Sequence, residues 1–189
     1  MITGGLPVQT PEQLPHTMQH VIRLTRVAPA TMKRWAERRL LNLDAYAHAD
    51  ANPGRTWLRF STADVHRVAL MVHLVMIGLK WELAAECVEK CDDPMHERIY
   101  GSSWMDADNQ SPHILTIAYD SYESRPTYIF DHRYFDTDKI SIKELFQDNR
   151  DVKFIVVNLT RIAQQVREQR EMWQRIDALG KELASKSTS

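Results

Sequence analysis

The chain has 189 residues, of which 43% are hydrophobic and 26% charged, and its formal net charge is -1. This length suits one domain or a small head with a second module, and the composition is that of a globular protein with a core. The longest apolar run, Val68 to Leu79, is interrupted by His73 and is much shorter than the roughly 20 residues that cross a bilayer. No membrane segment is therefore predicted, and without a signal-peptide pattern the cytoplasm is the expected compartment.

The charges are distributed unevenly along the chain. Residues 21–60 contain eight basic and three acidic residues, which leaves a net charge of -6 for the remainder. A basic head on an acidic body is typical of a protein that binds a polyanion, most often nucleic acid. An ordinary solvated surface explains the same count, so charge alone leaves both interpretations open.

The head begins with a proline- and glycine-containing stretch, residues 1–15, that is predicted to be a flexible arm. Apolar spacing then predicts two short helices with a turn at Val27-Ala28, and Pro29 suits the first position of the second helix. In that helix one face is apolar and predicted to pack. The opposite face carries Thr31, Arg34 and Arg38, with Lys33 beside them.

The next segment, residues 42–60, is rich in turn formers and ends in an alternating run, so it is predicted to be a hairpin with a long tip. Ser61 and Asp64 have the spacing of a helix cap, which predicts a helix that runs to about Ile77, and Gly78 suits its C-terminal end. A further helix is predicted from Lys80 to about Lys90.

Residues 92–112 are polar and are predicted to be a linker. Three strand-like runs follow at residues 113–119, 127–130 and 153–158, which predicts a small α+β module over residues 113–158. This module is the expected site for an effector or a protein partner.

The last segment, residues 159–189, is predicted to be a long helix with apolar residues at alternating steps of three and four, as in a coiled coil. Packing on its own chain is the alternative, but the regular spacing favours self-association as a homodimer. The predicted dimerisation residues are Leu159, Ile162, Val166, Trp173, Ile176 and Leu183.

Three motifs in the head resemble the winged helix-turn-helix head of the MerR family of transcription regulators. Residues 27–41 are similar to the family's turn and recognition helix, with Trp35 two positions after Lys33 and a Leu-Leu step at the end. Phe60–Val65 resembles the end of the wing and the start of the next helix, and Gly78-Leu79 resembles the step between the third and fourth helices. The resemblance runs from about Val21 to Val88, within a predicted DNA-binding domain of residues 16–91. Arg26 and Arg39 stand where the family usually has glycine.

The resemblance implies double-stranded DNA as the partner of a homodimer and RNA polymerase or an effector as further partners. Arginine can read guanine in the major groove and threonine can meet a thymine methyl group, whereas Lys33, Arg55 and Arg59 suit phosphates. In the wing, Leu58 replaces the usual arginine. Family position implies that Trp35 contacts a phosphate, but its spacing favours core packing. The predicted DNA-binding residues are Thr31, Lys33, Arg34, Trp35, Arg38, Arg55 and Arg59.

A metal site and an active site are the competing interpretations. Cys87 and Cys91 lie one helical turn apart with His96 nearby, which can bind one soft ion, although such a pair more often packs. No catalytic motif is present, so neither enzyme activity nor a cofactor is predicted.

The sequence therefore predicts an α+β protein with three parts: a winged head, a small α+β middle module and a C-terminal dimerisation helix. Its expected function is transcription regulation at near-palindromic promoter sites, in the cytoplasm and associated with the nucleoid. A DNA-bending accessory factor similar to excisionases is the second interpretation. A protein-interaction adaptor that has lost DNA binding is the third, suggested by Leu58 and the near-neutral total charge.

Overall fold

The computed structural model describes residues 15–51, 58–91, 104–105, 114–120, 127–129 and 152–187. The chain divides into two compact units, residues 1–89 with 168–189 and residues 90–167. Within the described residues no helix is both long enough and apolar enough to cross a membrane.

The first unit begins with strand β1 (His16–Thr17) and helices α1 (Met18–Thr25), α2 (Pro29–Glu37) and α3 (Asp44–Ala51). Strand β2 (Arg59–Phe60), helix α4 (Thr62–Met76) and helix α5 (Trp81–Cys91) follow. The predicted helices in this region, α1, α2, α4 and α5, are confirmed. Three of them have a local end signal: the Thr17 hydroxyl accepts from the His20 amide before α1, Pro29 opens α2, and Gly78 has a φ of 102° after α4.

The predicted hairpin over residues 42–60 is wrong in its described part. Residues 44–51 form helix α3, and β2 pairs antiparallel with β1, His16 opposite Phe60 and Thr17 opposite Arg59. The tip, residues 52–57, lies outside the described residues, as do residues 1–14 of the predicted arm. The strand partner of Phe60 therefore comes from the start of the chain.

A buried carboxylate, Asp64, explains why α3 forms. Its Oδ1 accepts a hydrogen bond from the Asp44 amide at 2.8 Å, and its Oδ2 accepts from the amides of Ala45 at 3.2 Å and Ser61 at 3.0 Å. A carboxylate that satisfies free amides at a helix start stabilises that helix. Asp64 thus holds the beginnings of α3 and α4 together.

Three polar side chains complete this arrangement, which we call the Asp64 cluster: Asp44, Ser61 and Arg67. The Ser61 hydroxyl accepts from the Asp64 amide at 3.0 Å and donates to Asp44 Oδ2 at 2.8 Å. Arg67 Nη1 lies 3.0 Å from Asp64 Oδ1 and 3.4 Å from Asp44 Oδ1. Burial raises the pKa of Asp64. Hydrogen bonds from the Ser61 and Asp44 amides and the charge of Arg67 lower this pKa and so oppose the effect of burial.

Apolar side chains on α1, α2, β2 and α4 form the core of the first unit, and α1 packs against α4. The largest fully buried members include Val21, Met32, Phe60, Val65, Val68, Leu70, Met71 and Leu74. Because α4 is buried on several sides, it provides the support on which the shorter helices are placed.

The second unit contains a three-stranded antiparallel sheet of order β4-β3-β5, formed by β3 (Ile114–Asp120), β4 (Thr127–Ile129) and β5 (Val152–Asn158). Ile114 lies opposite Asn158 and Asp120 opposite Val152. These strands agree with the predicted runs, since Ile, Val, Tyr and Phe favour a half-buried strand. Helix α6 (Leu159–Ser187) follows β5 directly and confirms the predicted terminal helix.

Candidate nucleic-acid interface

Helix α2 has one buried face and one exposed basic face. Met32 and Trp35 are buried, whereas Lys33, Arg34 and Arg38, the residue that caps the helix, are exposed and Thr31 is half-buried. Spacings of three and four residues place these groups on opposite sides of a helix. The predicted division of α2 into a packing face and a basic face is therefore present.

Arg34 and Arg38 lie over one aromatic ring, that of Trp81 at the start of α5. The guanidinium carbons are 5.4 Å and 5.6 Å from the ring centroid. We call these three residues the Trp81 platform. A guanidinium stacked on a ring keeps its charge and its N–H donors, because the ring face does not neutralise the cation as a carboxylate does. Among the described residues neither arginine forms an ion pair.

Trp35 belongs to the core. It is 2% exposed, and its Nε1 atom is buried with no hydrogen-bond partner within the described part of the chain. A buried indole cannot reach a phosphate from this position, so the structure favours the packing interpretation over the phosphate contact.

The remaining predicted contacts lie on or near β2. Arg59 is exposed at the first position of the strand, and Leu58, directly before it, is half-buried. Arg55 lies outside the described residues. Arg39, the residue after Arg38, donates two hydrogen bonds of 2.8 Å and 3.1 Å to Asp50. This carboxylate neutralises the charge of Arg39.

The predicted dimerisation residues fall into two groups. Leu159, Ile162 and Val166 are buried, and Trp173 is half-buried with Arg23 of α1 at 5.1 Å from its ring centroid. These four side chains are covered, wholly or partly, by their own chain. Ile176 and Leu183 are 45% and 68% exposed. Leu179, which was not among the predicted residues, is 59% exposed, so this end of the helix offers apolar side chains to a second chain.

The candidate metal ligands Cys87 and Cys91 are both buried on α5, and His96 lies outside the described residues. No group of three or more His, Cys, Asp or Glu side chains that could hold a metal ion occurs in the described ranges.

Sequence reasoning missed Trp81 and a group of basic residues on β1, α1 and α6. Trp81 has the spacing of a core residue on its own helix, so only the packing of α5 beside α2 reveals its contact with two arginines. The second group includes His16, His20, Arg23 and Arg170 around a cavity. The only local signal of this group in the sequence is the spacing of four residues between His16 and His20.

No protein-family model matches this chain, and no curated protein sequence is significantly similar to it.

Proposed function

We propose that this protein is a sequence-specific DNA-binding transcriptional regulator that acts as a homodimer, with α2 as its recognition helix. The observation that carries the proposal is the Trp81 platform, which holds two exposed and unneutralised arginines one helical turn apart on a short helix. Arg side chains in this setting suit guanine O6 and N7 in the major groove. Lys33 and Arg59 are exposed and suit phosphates.

Backbone geometry supports the resemblance to MerR-type heads. Arg26 and Arg39, which occupy the positions where that family usually has glycine, have φ values of 58° and 47°. Among the described non-glycine residues only these two have positive φ. Glycine is the residue that favours this conformation, so the backbone at both turns has the shape that a glycine would prefer.

A test of this proposal begins with selection of a binding site from random duplex DNA by the full-length protein. Arg34→Ala and Arg38→Ala should each weaken binding to the selected site by about 1 to 3 kcal/mol and relax base preference at one position. Arg175→Ala, which removes an exposed arginine from α6, is the charge-matched control and should change little.

Three outcomes contradict parts of the proposal. Equal losses on selected and random DNA would reduce both arginines to phosphate contacts. Absence of binding at low salt would favour the adaptor interpretation, since phosphate contacts are strongest there. A loss in Arg175→Ala equal to that of the other variants would show that only total charge matters.

The homodimer part of the proposal rests on the exposed apolar end of α6. Exposed leucines at 179 and 183 form a stripe that a second copy of the helix can cover. The double variant Leu179→Glu, Leu183→Glu should be monomeric by sedimentation velocity and should bind a two-half-site DNA with about half the salt slope. Lys181→Glu is the control for added charge. A wild-type protein that sediments as a monomer would refute this part.

A further inference from the structure

A cavity of about 210 Å³ lies in the first unit, between α1 and the part of α6 that follows Arg167. Its lining combines basic groups, His16, His20, Arg23 and Arg170, with the apolar side chains of Leu24 and Trp173. All of these lining residues belong to the same unit, so the cavity is part of one compact body.

The charge of this cavity is not balanced. Its lining has two arginines and one carboxylate, Asp177, and in the part of the chain that the structure describes none of the three forms an ion pair. Arg23 instead stacks on Trp173 at 5.1 Å, which leaves its N–H donors free. Grouped cations that outnumber the nearby carboxylates repel one another, and a bound anion lowers that cost.

His16 lies in the same positive potential. Burial lowers the pKa of His16, and His20, Arg170 and His66 lower it further. His16 Nε2 lies 3.4 Å from the Thr62 hydroxyl, and its ring is 6.3 Å from that of His20. The groups that face His16 are therefore basic on α1, α4 and α6 alike, with Asp177 as the one acidic group in the cavity lining.

Size and apolar lining restrict the ligand further. A buried cavity of about 150 Å³ accepts benzene, so the cavity of about 210 Å³ in this protein accepts a single ring with a small substituent. Leu24 and Trp173 supply the apolar surface for a ring, and the arginines supply donors for a carboxylate.

We propose that this cavity binds a small organic carboxylate with one ring, its carboxylate between Arg23 and Arg170 and its ring against Leu24 and Trp173. Binding of such a ligand would tie α1, the first helix of the head, to α6. This inference is independent of the proposed DNA-binding function, because it rests on different residues and its test contains no DNA.

Isothermal titration calorimetry of the full-length protein with benzoate tests the proposal. Benzoate should bind one site with a Kd of about 1 mM or tighter, whereas benzamide, of the same shape but neutral, should bind at least tenfold more weakly. Arg170→Gln should weaken benzoate binding about tenfold or more, and Arg170→Lys should retain part of the affinity. Arg175→Gln, on the same helix but outside the cavity, is the matched control and should bind as the wild type.

Affinity should also rise as the pH falls through the pKa of His16, which burial lowers from its ordinary value, because protonated His16 adds positive charge around the carboxylate. Circular dichroism of each variant checks that the fold is retained. Absence of saturable benzoate binding, equal binding of benzamide, or equal losses in the Arg170 and Arg175 variants would overturn the proposal. Inorganic phosphate that binds as tightly as benzoate would overturn the assignment of a ring-bearing ligand.

Discussion

The Asp64 cluster and the Trp81 platform hold arginines in opposite ways. Arg67 in the cluster lies against two carboxylates, 3.0 Å from Asp64 and 3.4 Å from Asp44, and its side chain is mostly buried. Arg34 and Arg38 on the platform are exposed and lie over an aromatic ring. A carboxylate neutralises a guanidinium and uses its donors, whereas a ring face orients it without using them.

This difference separates residues that stabilise the fold from residues that remain available to a ligand. Asp64 and its partners satisfy one another, so the cluster has little left to offer a partner molecule. The platform arginines retain their charge and their N–H groups. Changes in the cluster should therefore affect stability first, and changes in the platform should affect binding first.

The largest effect should follow from Asp64→Ala. This variant leaves Arg67 without one of its carboxylates and leaves the amides of Asp44, Ala45 and Ser61 without their acceptor. Loss of one partner from a buried, charge-assisted network costs about 3 kcal/mol of unfolding free energy. Urea unfolding followed by circular dichroism measures it, with the exposed Asp50→Ala as control. An Asp64 variant as stable as the control would show that the network contributes nothing.

Sequence alone predicted the helices whose signals are local and missed the one whose signal is distant. Pro29, the Ser61 and Asp64 pair and Gly78 each lie at the helix end that they define, so α2 and α4 were predictable. Helix α3 depends on a carboxylate 20 residues away from Asp44, and no local window contains both residues. The strand of His16 and Thr17 is likewise defined only by its partner, β2.

The candidate site divides in the same way. The basic face of α2 follows from helical spacing and was predicted residue by residue. Its platform requires α5 to pack beside α2, which no spacing within either helix indicates. The cavity that Arg23 and Arg170 share joins residues 147 positions apart in the chain. Tertiary contacts of this kind are why the site was predicted only in part.

A smaller effect should follow from Trp81→Leu, and it should appear in binding more than in stability. Each exposed cation–π contact is worth about 0.5 to 1 kcal/mol, so loss of both should weaken DNA binding by at most about five- to thirtyfold, by freeing both arginines to rotate. Trp81→Tyr keeps a ring and should retain most of the affinity. Gel shifts at matched salt measure the change. If Trp81→Leu and Trp81→Tyr bind equally well, the ring does not position the arginines.

The smallest effect should come from the ion pair of Arg39 and Asp50. Like the Asp64 cluster, it joins an arginine to a carboxylate, but like the platform arginines its side chains are exposed. The hydrogen bonds from Arg39 lower the pKa of Asp50, so any stabilisation is present above the unfolded value of 3.8 and is lost as the pH falls through the folded pKa. Water and salt screen this pair, because both side chains are about 60% exposed. Urea unfolding curves of wild type and Asp50→Ala should therefore coincide at pH 7, and raising NaCl to about 0.5 M should not change their difference. A clear loss of stability in Asp50→Ala would mean that bidentate geometry, and not burial, separates stabilising arginines from available ones.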